Sequence, residues 1–148
     1  MEYKDVVQHL GACGLDCARC ADYQNGEIKL FTQKVAQLLG NYERLAQMKA
    51  KDKPIFNNYS HFKEILDAFA QASCSGCRGE NVQCPLTTCS ARTCSKEKGV
   101  YFCFECDEYP CEKQFSGRLR DLWKKINDRM KEIGAVEYYY EQLNLPRY

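Results

Sequence analysis

The sequence predicts a mainly α fold, a small helical domain of 148 residues holding one irregular segment that needs internal cross-links. Apolar residues recur at helical spacing in three stretches: Ile28 to Leu39, Ser60 to Ala72 and Gly117 to Ile133. The eleven cysteines fall into two blocks, Cys13 to Cys20 and Cys74 to Cys111. The second block carries few aliphatic side chains, so apolar burial cannot offset the entropy of ordering it.

Residues 1–27 read as an irregular segment carrying the first cysteine block. A helix is predicted from Ile28 to Leu39, with Ile28, Phe31, Val35, Leu38 and Leu39 on one face and Gly40 as terminator. A short helix follows Asn41 and uses Tyr42, Leu45 and Met48; the charged run Lys49 to Pro54 reads as a solvated connection. Ser60 suits the N-cap of a helix running to Ala72, where Phe62, Ile65, Leu66 and Phe69 are spaced i, i+3, i+4 and i+7. Within the cysteine-rich segment only Val100-Tyr101-Phe102 resembles a strand. Leu119, Leu122, Trp123, Ile126, Met130 and Ile133 then make one stripe of a helix from Gly117 to Ile133, stopped by Gly134. A last helix spans Ala135 to Leu143, ahead of Pro146. The expected organisation is a single domain over 1–148: a cysteine block at 13–20, helices within 28–72, a metal-stapled segment at 74–111 and C-terminal helices within 117–143.

Why metal rather than disulfides? The N-terminal MEYKDVVQHLGAC lacks a basic region followed by a long apolar run, and no stretch approaches the roughly 20 apolar residues of a membrane span. The expectation is therefore a cytoplasmic protein with no membrane association, in a compartment that keeps thiols reduced. An odd number of cysteines also leaves one thiol over in any intramolecular disulfide scheme. The formal net charge is +1. Eight thiolates on two zinc ions would add eight negative and four positive charges, shifting it to about −3. That counts against nucleic-acid binding by bulk electrostatics.

Cys74-Ser-Gly-Cys77-Arg78-Gly79 has the form of a zinc knuckle, in which two intervening residues let both sulfurs reach one tetrahedral ion. Cys103-Phe-Glu-Cys106 repeats the gap, and Cys84, Cys89, Cys94 and Cys111 bring the block to eight thiolates, enough for two four-sulfur sites. One scheme is sequential, with Cys74, Cys77, Cys84 and Cys89 on one ion and Cys94, Cys103, Cys106 and Cys111 on the other. The alternative joins the two CxxC pairs around a single ion. Shorter loops favour the first scheme. Cys13, Cys17 and Cys20, spaced CxxxCxxC, can hold a third ion with a remote fourth ligand, for which Asp16, His9, His61 or a cysteine of the second block are the candidates. The same three thiolates could instead carry an iron–sulfur cluster, since cysteine-rich sites accept either metal. The expected cofactor is thus zinc, two or three ions, with an iron–sulfur cluster at Cys13, Cys17 and Cys20 as the alternative.

These residues also carry a resemblance. Cys13-Gly-Leu-Asp-Cys17-Ala-Arg-Cys20, the Cys74–Arg78 knuckle, Lys96-Glu-Lys-Gly-Val100 and Cys103-Phe-Glu-Cys106-Asp-Glu-Tyr-Pro110-Cys111 resemble an uncharacterised cysteine-rich family of bacteria and archaea, marked by CGLxCxxC and CxECxxxPC. The resemblance runs from about Gly11 to the C-terminal helices and implies metal binding, taken to be zinc, with no established activity.

The helix from Gly117 carries Arg118, Arg120, Lys124, Lys125, Arg129 and Lys131, interrupted by Asp121, Asp128 and Glu132; that alternation reads as a solvated mixed-charge face more than a phosphate-tracking one. Tyr138-Tyr139-Tyr140 reads as a triplet packing a terminal helix with one ring left outside. Hydrolase elbow, phosphate-loop and dinucleotide motifs do not occur in the sequence. Four thiolates saturate zinc and leave no position for chemistry. The expectation is therefore structural zinc in a non-enzymatic interaction or adaptor module with a protein partner, the alternative being an open-site redox protein using the CxxxCxxC block.

Overall fold

The structure, a computed structural model, describes residues 1–86 and 89–148. It is mainly helical, with no strand among the described residues; Leu10 and Asp16 form an isolated antiparallel bridge. The chain forms two compact units, one of Met1–Cys20 with Cys74–Tyr148, the other of Ala21–Ser73. All eleven cysteines belong to the first. No helix among the described residues is long and apolar enough to cross a membrane.

The cysteine-free unit contains α2 (Glu27–Leu39), α3 (Glu43–Lys49) and α4 (Tyr59–Ala70), with a 3-10 turn at Pro54–Asn58. α2 packs along α4, and its Lys29 and Gln33 donate to the carbonyls of Ala72 and Ala70 at 2.8 and 2.9 Å. Tyr42 anchors the other end against Phe56 and Tyr59. α4 starts one residue before the expected Ser60 cap because the preceding 3-10 turn already supplies the helical approach. Its Leu66 is buried, but Phe31, Leu38, Met48, Phe62 and Ile65 stay exposed, Leu38 to 73%. Three short helices leave too little facing surface to cover every apolar stripe.

The cysteine-bearing unit is built on α6 (Gly117–Ile133), whose Trp123, Ile126, Asn127 and Met130 are buried. α7 (Ala135–Leu143) adds Ala135, Tyr138 and Tyr139 to the core and leaves Tyr140 outside, as the triplet suggested. Two helices form where irregular chain was expected. α1 (Tyr3–His9) has only seven residues, too few to persist alone, and owes its order to Val6 and Val7, which with Leu10 pack among Phe102, Met130 and Tyr139. α5 (Ala91–Lys98) is closed by Gly99 in the left-handed conformation, φ 67°, with Lys96 and Lys98 in the last turn.

The strand expected at Val100–Phe102 does not form. Both oxygens of Glu105 are turned back on this stretch: Oε2 accepts the N–H groups of Tyr101 and Phe102 at 2.8 and 2.9 Å, and Oε1 accepts the Tyr3 hydroxyl. These bonds take the backbone donors a sheet ladder would use, and the chain turns into a 3-10 helix at Cys103–Glu105. Gly14 sets how closely α6 approaches the N-terminal block. Its φ is +88°, and a Cβ there would stand 2.3 Å from Ile126 Cγ2 and 2.6 Å from Met130 Cε.

Candidate metal centre

The first cysteine block is a tight loop held by its own backbone. Cys17 and Ala18 both donate to the His9 carbonyl, at 2.9 and 3.1 Å, and Gly11 N donates to Leu15 O at 2.8 Å. Asp16, a candidate fourth ligand from the sequence, accepts the Arg19 N–H at 3.1 Å and pairs with Arg19 Nε at 2.5 Å. Its side chain is thus spent on the turn. His9 stacks on Tyr139 at 5.3 Å, with Nδ1 buried and without a hydrogen-bond partner, and His61 lies exposed on α4 in the other unit.

The knuckle at Cys74–Gly79 folds back through Ser75 N to Asn81 O, 2.7 Å, and Gln83 N donates to Cys74 Sγ at 3.3 Å. Gly79 is required there, since a Cβ would sit 2.2 Å from Ser75 Oγ and 2.7 Å from the Ser75 carbonyl. Arg78 pins the knuckle to α1 and to Tyr101, donating to Val7 O at 2.5 Å and Tyr101 O at 2.6 Å while lying over the Phe102 ring. Arg92 on α5 donates to Gly79 O at 2.7 Å.

These braces bring cysteines from both blocks together. A Cβ on Gly11 would touch Cys17 Sγ, Cys77 Cβ and Cys13 Sγ, all within 3.5 Å. Burial pushes the Cys17 thiol up to about 12; the Cys77 N–H opposes that shift, while the thiols of Cys77, Cys84 and Cys20 add to it. Cys84 is raised for the same reasons, burial first, then the thiols of Cys89, Cys77 and Cys20. Cys17 thus interacts with Cys77, Cys84 and Cys20, and Cys84 with Cys89, Cys77 and Cys20, while the Tyr148 hydroxyl reaches Cys20 Sγ at 3.4 Å.

A second neighbourhood forms between α5, the 3-10 turn and α6. Cys94, Cys103, Cys106 and Cys111 line a small cavity with Tyr109 and Trp123, and Lys98 paired to Glu108 stands at its edge. The turn is seated by Cys103 N donating to Ala12 O at 2.9 Å, and Asn127 accepts the Phe104 N–H at 3.1 Å. Burial pushes Cys103 up to about 11 against the pull of the Trp123 indole N–H, with Cys111, Cys89 and Cys94 reinforcing the rise. Cys94 is raised by burial and by Cys106 and Cys111. Trp123 is 2% exposed, and its Nε1 is buried without a hydrogen-bond partner. An orphan donor beside a sulfur fits a thiolate better than a neutral thiol, which is a poor acceptor.

Cys13 and Cys89 pair with each other. The Cys13 thiol, raised well above the usual range, donates to Cys89, whose pKa is lowered by that bond and by N–H groups of Ala91, Gln114 and Arg92. Among the described residues, no three Cys, His, Asp or Glu side chains close on a point tightly enough to hold a metal ion.

A family model described as "Protein of unknown function (DUF3795)" matches residues 9–116. The chain belongs to this family. The DUF3795 match contains all eleven cysteines and stops one residue before α6, so Trp123 and Asn127 lie outside it. Comparison with curated proteins and with solved structures gives no match.

The sequence pointed to the cysteines but not to the residues that seat them. Asn127, 0% exposed, donates through Nδ2 to the carbonyls of Cys13 and Trp123, both at 2.9 Å, tying α6 to the first block. A polar residue one position after Ile126 inside an apolar stripe was the available signal. Gln114 is also buried, held by Ser90 Oγ at 2.6 Å, and a lone glutamine in a polar loop carries no such signal.

Proposed function

We propose that this DUF3795 protein is a structural zinc protein. Cys17, Cys20, Cys77 and Cys84 would hold one ion, and Cys94, Cys103, Cys106 and Cys111 the other. The observation that carries the reading is the unpartnered Trp123 indole N–H beside Cys103, in a cavity lined by four cysteines. Bound zinc supplies charge that keeps its sulfurs deprotonated, against the burial that now raises Cys17 and Cys103. The free energy of ligation goes into drawing the sulfurs of each group together and ordering the segment between Cys74 and Cys111. Chain from both cysteine blocks is then closed into one unit whose outer surface is free to bind a protein partner. With four thiolates on each ion, zinc has no open position for substrate.

Serine substitutions with native mass spectrometry test the assignment. Cys77→Ser should lose one ion and Cys106→Ser the other, each leaving one zinc bound. Loss of both ions in both variants, or of neither, would contradict two independent sites. Iron and sulfide in place of zinc, with a visible charge-transfer band bleached by dithionite, would replace the reading with an iron–sulfur one.

A further inference from the structure

In the cysteine-bearing unit, α6, α7, the loop at Leu15–Arg19 and the C-terminal tail enclose a groove of about 940 Å³. Its tail wall is tied down: Arg19 donates to the carbonyls of Gln142 and Leu145 at 2.7 and 2.9 Å, and Arg147 Nε donates to Asp16 O at 2.8 Å. Leu15, Leu122, Ile126, Leu145 and Pro146 supply an apolar lining, and Leu122 and Leu145 remain 46% and 55% exposed. Most charged side chains around it are already paired, Asp16 with Arg19, Lys124 with Asp128, and Arg129 with Glu132 and Glu141. Asp121 and Lys125, one turn apart on α6, are exposed and of opposite sign. Two further polar groups lack partners among the described residues. Tyr138 lines the groove and is only 5% exposed, yet its hydroxyl makes no hydrogen bond. Arg147, whose guanidinium lies over the Tyr148 ring at 4.9 Å, uses Nε alone and leaves both Nη groups without an acceptor. The two are neighbours: the Arg147 charge acts on the Tyr138 phenol, as does Asp16, which Arg19 neutralises.

We propose that this groove binds a small carboxylic acid with a long apolar body, its carboxylate on Arg147 and Tyr138 and its chain along Leu15, Leu122, Ile126 and Leu145. A guanidinium held at Nε offers a carboxylate two parallel N–H donors from its Nη groups, and the phenol adds a third. The volume lies within the range of about 300–1,000 Å³ typical of small-molecule sites, which share this pattern of apolar lining with a few convergent polar groups. A peptide fits less well, because its backbone brings a donor and an acceptor with almost every residue and the paired charges around the groove offer it few partners. A cation fits less well because Asp16, Asp128, Glu132 and Glu141 are already engaged by Arg19, Lys124 and Arg129. The site uses no cysteine and no metal, so it stands independently of the zinc reading.

The test is isothermal titration calorimetry of the full-length protein as purified with decanoate, kept below micelle formation, and with decylammonium as the probe of opposite charge. One decanoate should bind per chain, and decylammonium should not bind. Arg147→Gln should weaken decanoate at least about tenfold, the cost of a lost charge-assisted hydrogen bond, and Tyr138→Phe should weaken it several-fold. Lys51→Gln, in the other unit, should change nothing. Leu122→Glu sets a negative charge on an exposed position of the lining and should abolish binding. That variant decides the matter should Arg147→Gln or Tyr138→Phe fail to fold, as judged by circular dichroism. Absence of decanoate binding, several decanoates per chain or equal binding of decylammonium would overturn the proposal. So would a decanoate affinity unmoved by Arg147→Gln or by Leu122→Glu.

Discussion

Replacing Trp123 by Phe removes one indole N–H and little else. The ring packs edge-on against Tyr109 at 5.2 Å and Phe115 at 6.4 Å, and a phenyl group retains most of that contact. What is lost is the donor beside Cys103. A hydrogen bond to a charged acceptor contributes about 1.5–3 kcal/mol, which corresponds to a roughly tenfold to hundredfold loss of affinity when an outer donor to a metal ligand is removed. The loss should fall on one ion alone, the one assigned to Cys94, Cys103, Cys106 and Cys111. Competition with a chromophoric zinc chelator, resolving two binding steps, measures both affinities in one titration. Trp123→Phe should weaken one step by at least about tenfold and leave the other within twofold of wild type. Two unchanged steps in a folded variant, judged by circular dichroism, would refute the role given to the indole. An equal loss in both steps would mean that the substitution had acted through the core.

Other perturbations follow from the packing. Asn127→Leu strips partners from the buried Cys13 carbonyl and Phe104 N–H, and at about 1–3 kcal/mol for each orphaned group urea unfolding should show a loss of roughly 2–6 kcal/mol; a change below about 1 kcal/mol would contradict the bonds. Gly14→Ala meets Ile126 and Met130 at a positive φ, so it should destabilise by more than about 1 kcal/mol and lower the melting temperature, whereas Gly40→Ala, with open space around its Cβ, pays only the backbone strain. Tyr138 is pushed by burial up to about 12 from an ordinary 10. Its raised value means that the folded state keeps the phenol neutral where the unfolded chain ionises it, so this contribution is intact below pH 10 and drains away between pH 10 and about 12. Tyr138→Phe should flatten the stability–pH curve across that window, and an unchanged slope would count against the burial argument.

How much of this was legible beforehand depends on the range of the forces involved. α6 and α7 were read to their end residues because an apolar stripe and Gly134 are local signals. α1 was missed because seven residues carry less than two full turns of pattern, and its order comes from Phe102 and α7, far along the chain. α5 has no apolar stripe to announce it, and only Gly99 and the last-turn lysines mark its end. The stripe of α2 was read correctly as amphipathic, yet none of its residues is buried, since periodicity says which face is apolar and not whether anything covers it. Which cysteines come near one another is not legible from spacing. Cys17 meets Cys77 only through the Arg78 anchor on Val7 and the packing around Gly11. Contacts across some sixty residues are set by tertiary structure, which loop-length arguments cannot supply. Trp123 reads as one member of an apolar stripe, and both it and Asn127 sit against the cysteine blocks.

X-ray absorption at the zinc edge, on protein whose metal content has been measured by elemental analysis, probes the sulfur environment itself. The account predicts two zinc ions per chain and a single shell of four sulfurs at about 2.3 Å. Nitrogen or oxygen in the first shell would contradict it, as would iron with short metal–metal distances, or a well-ordered chain that carries no metal at all.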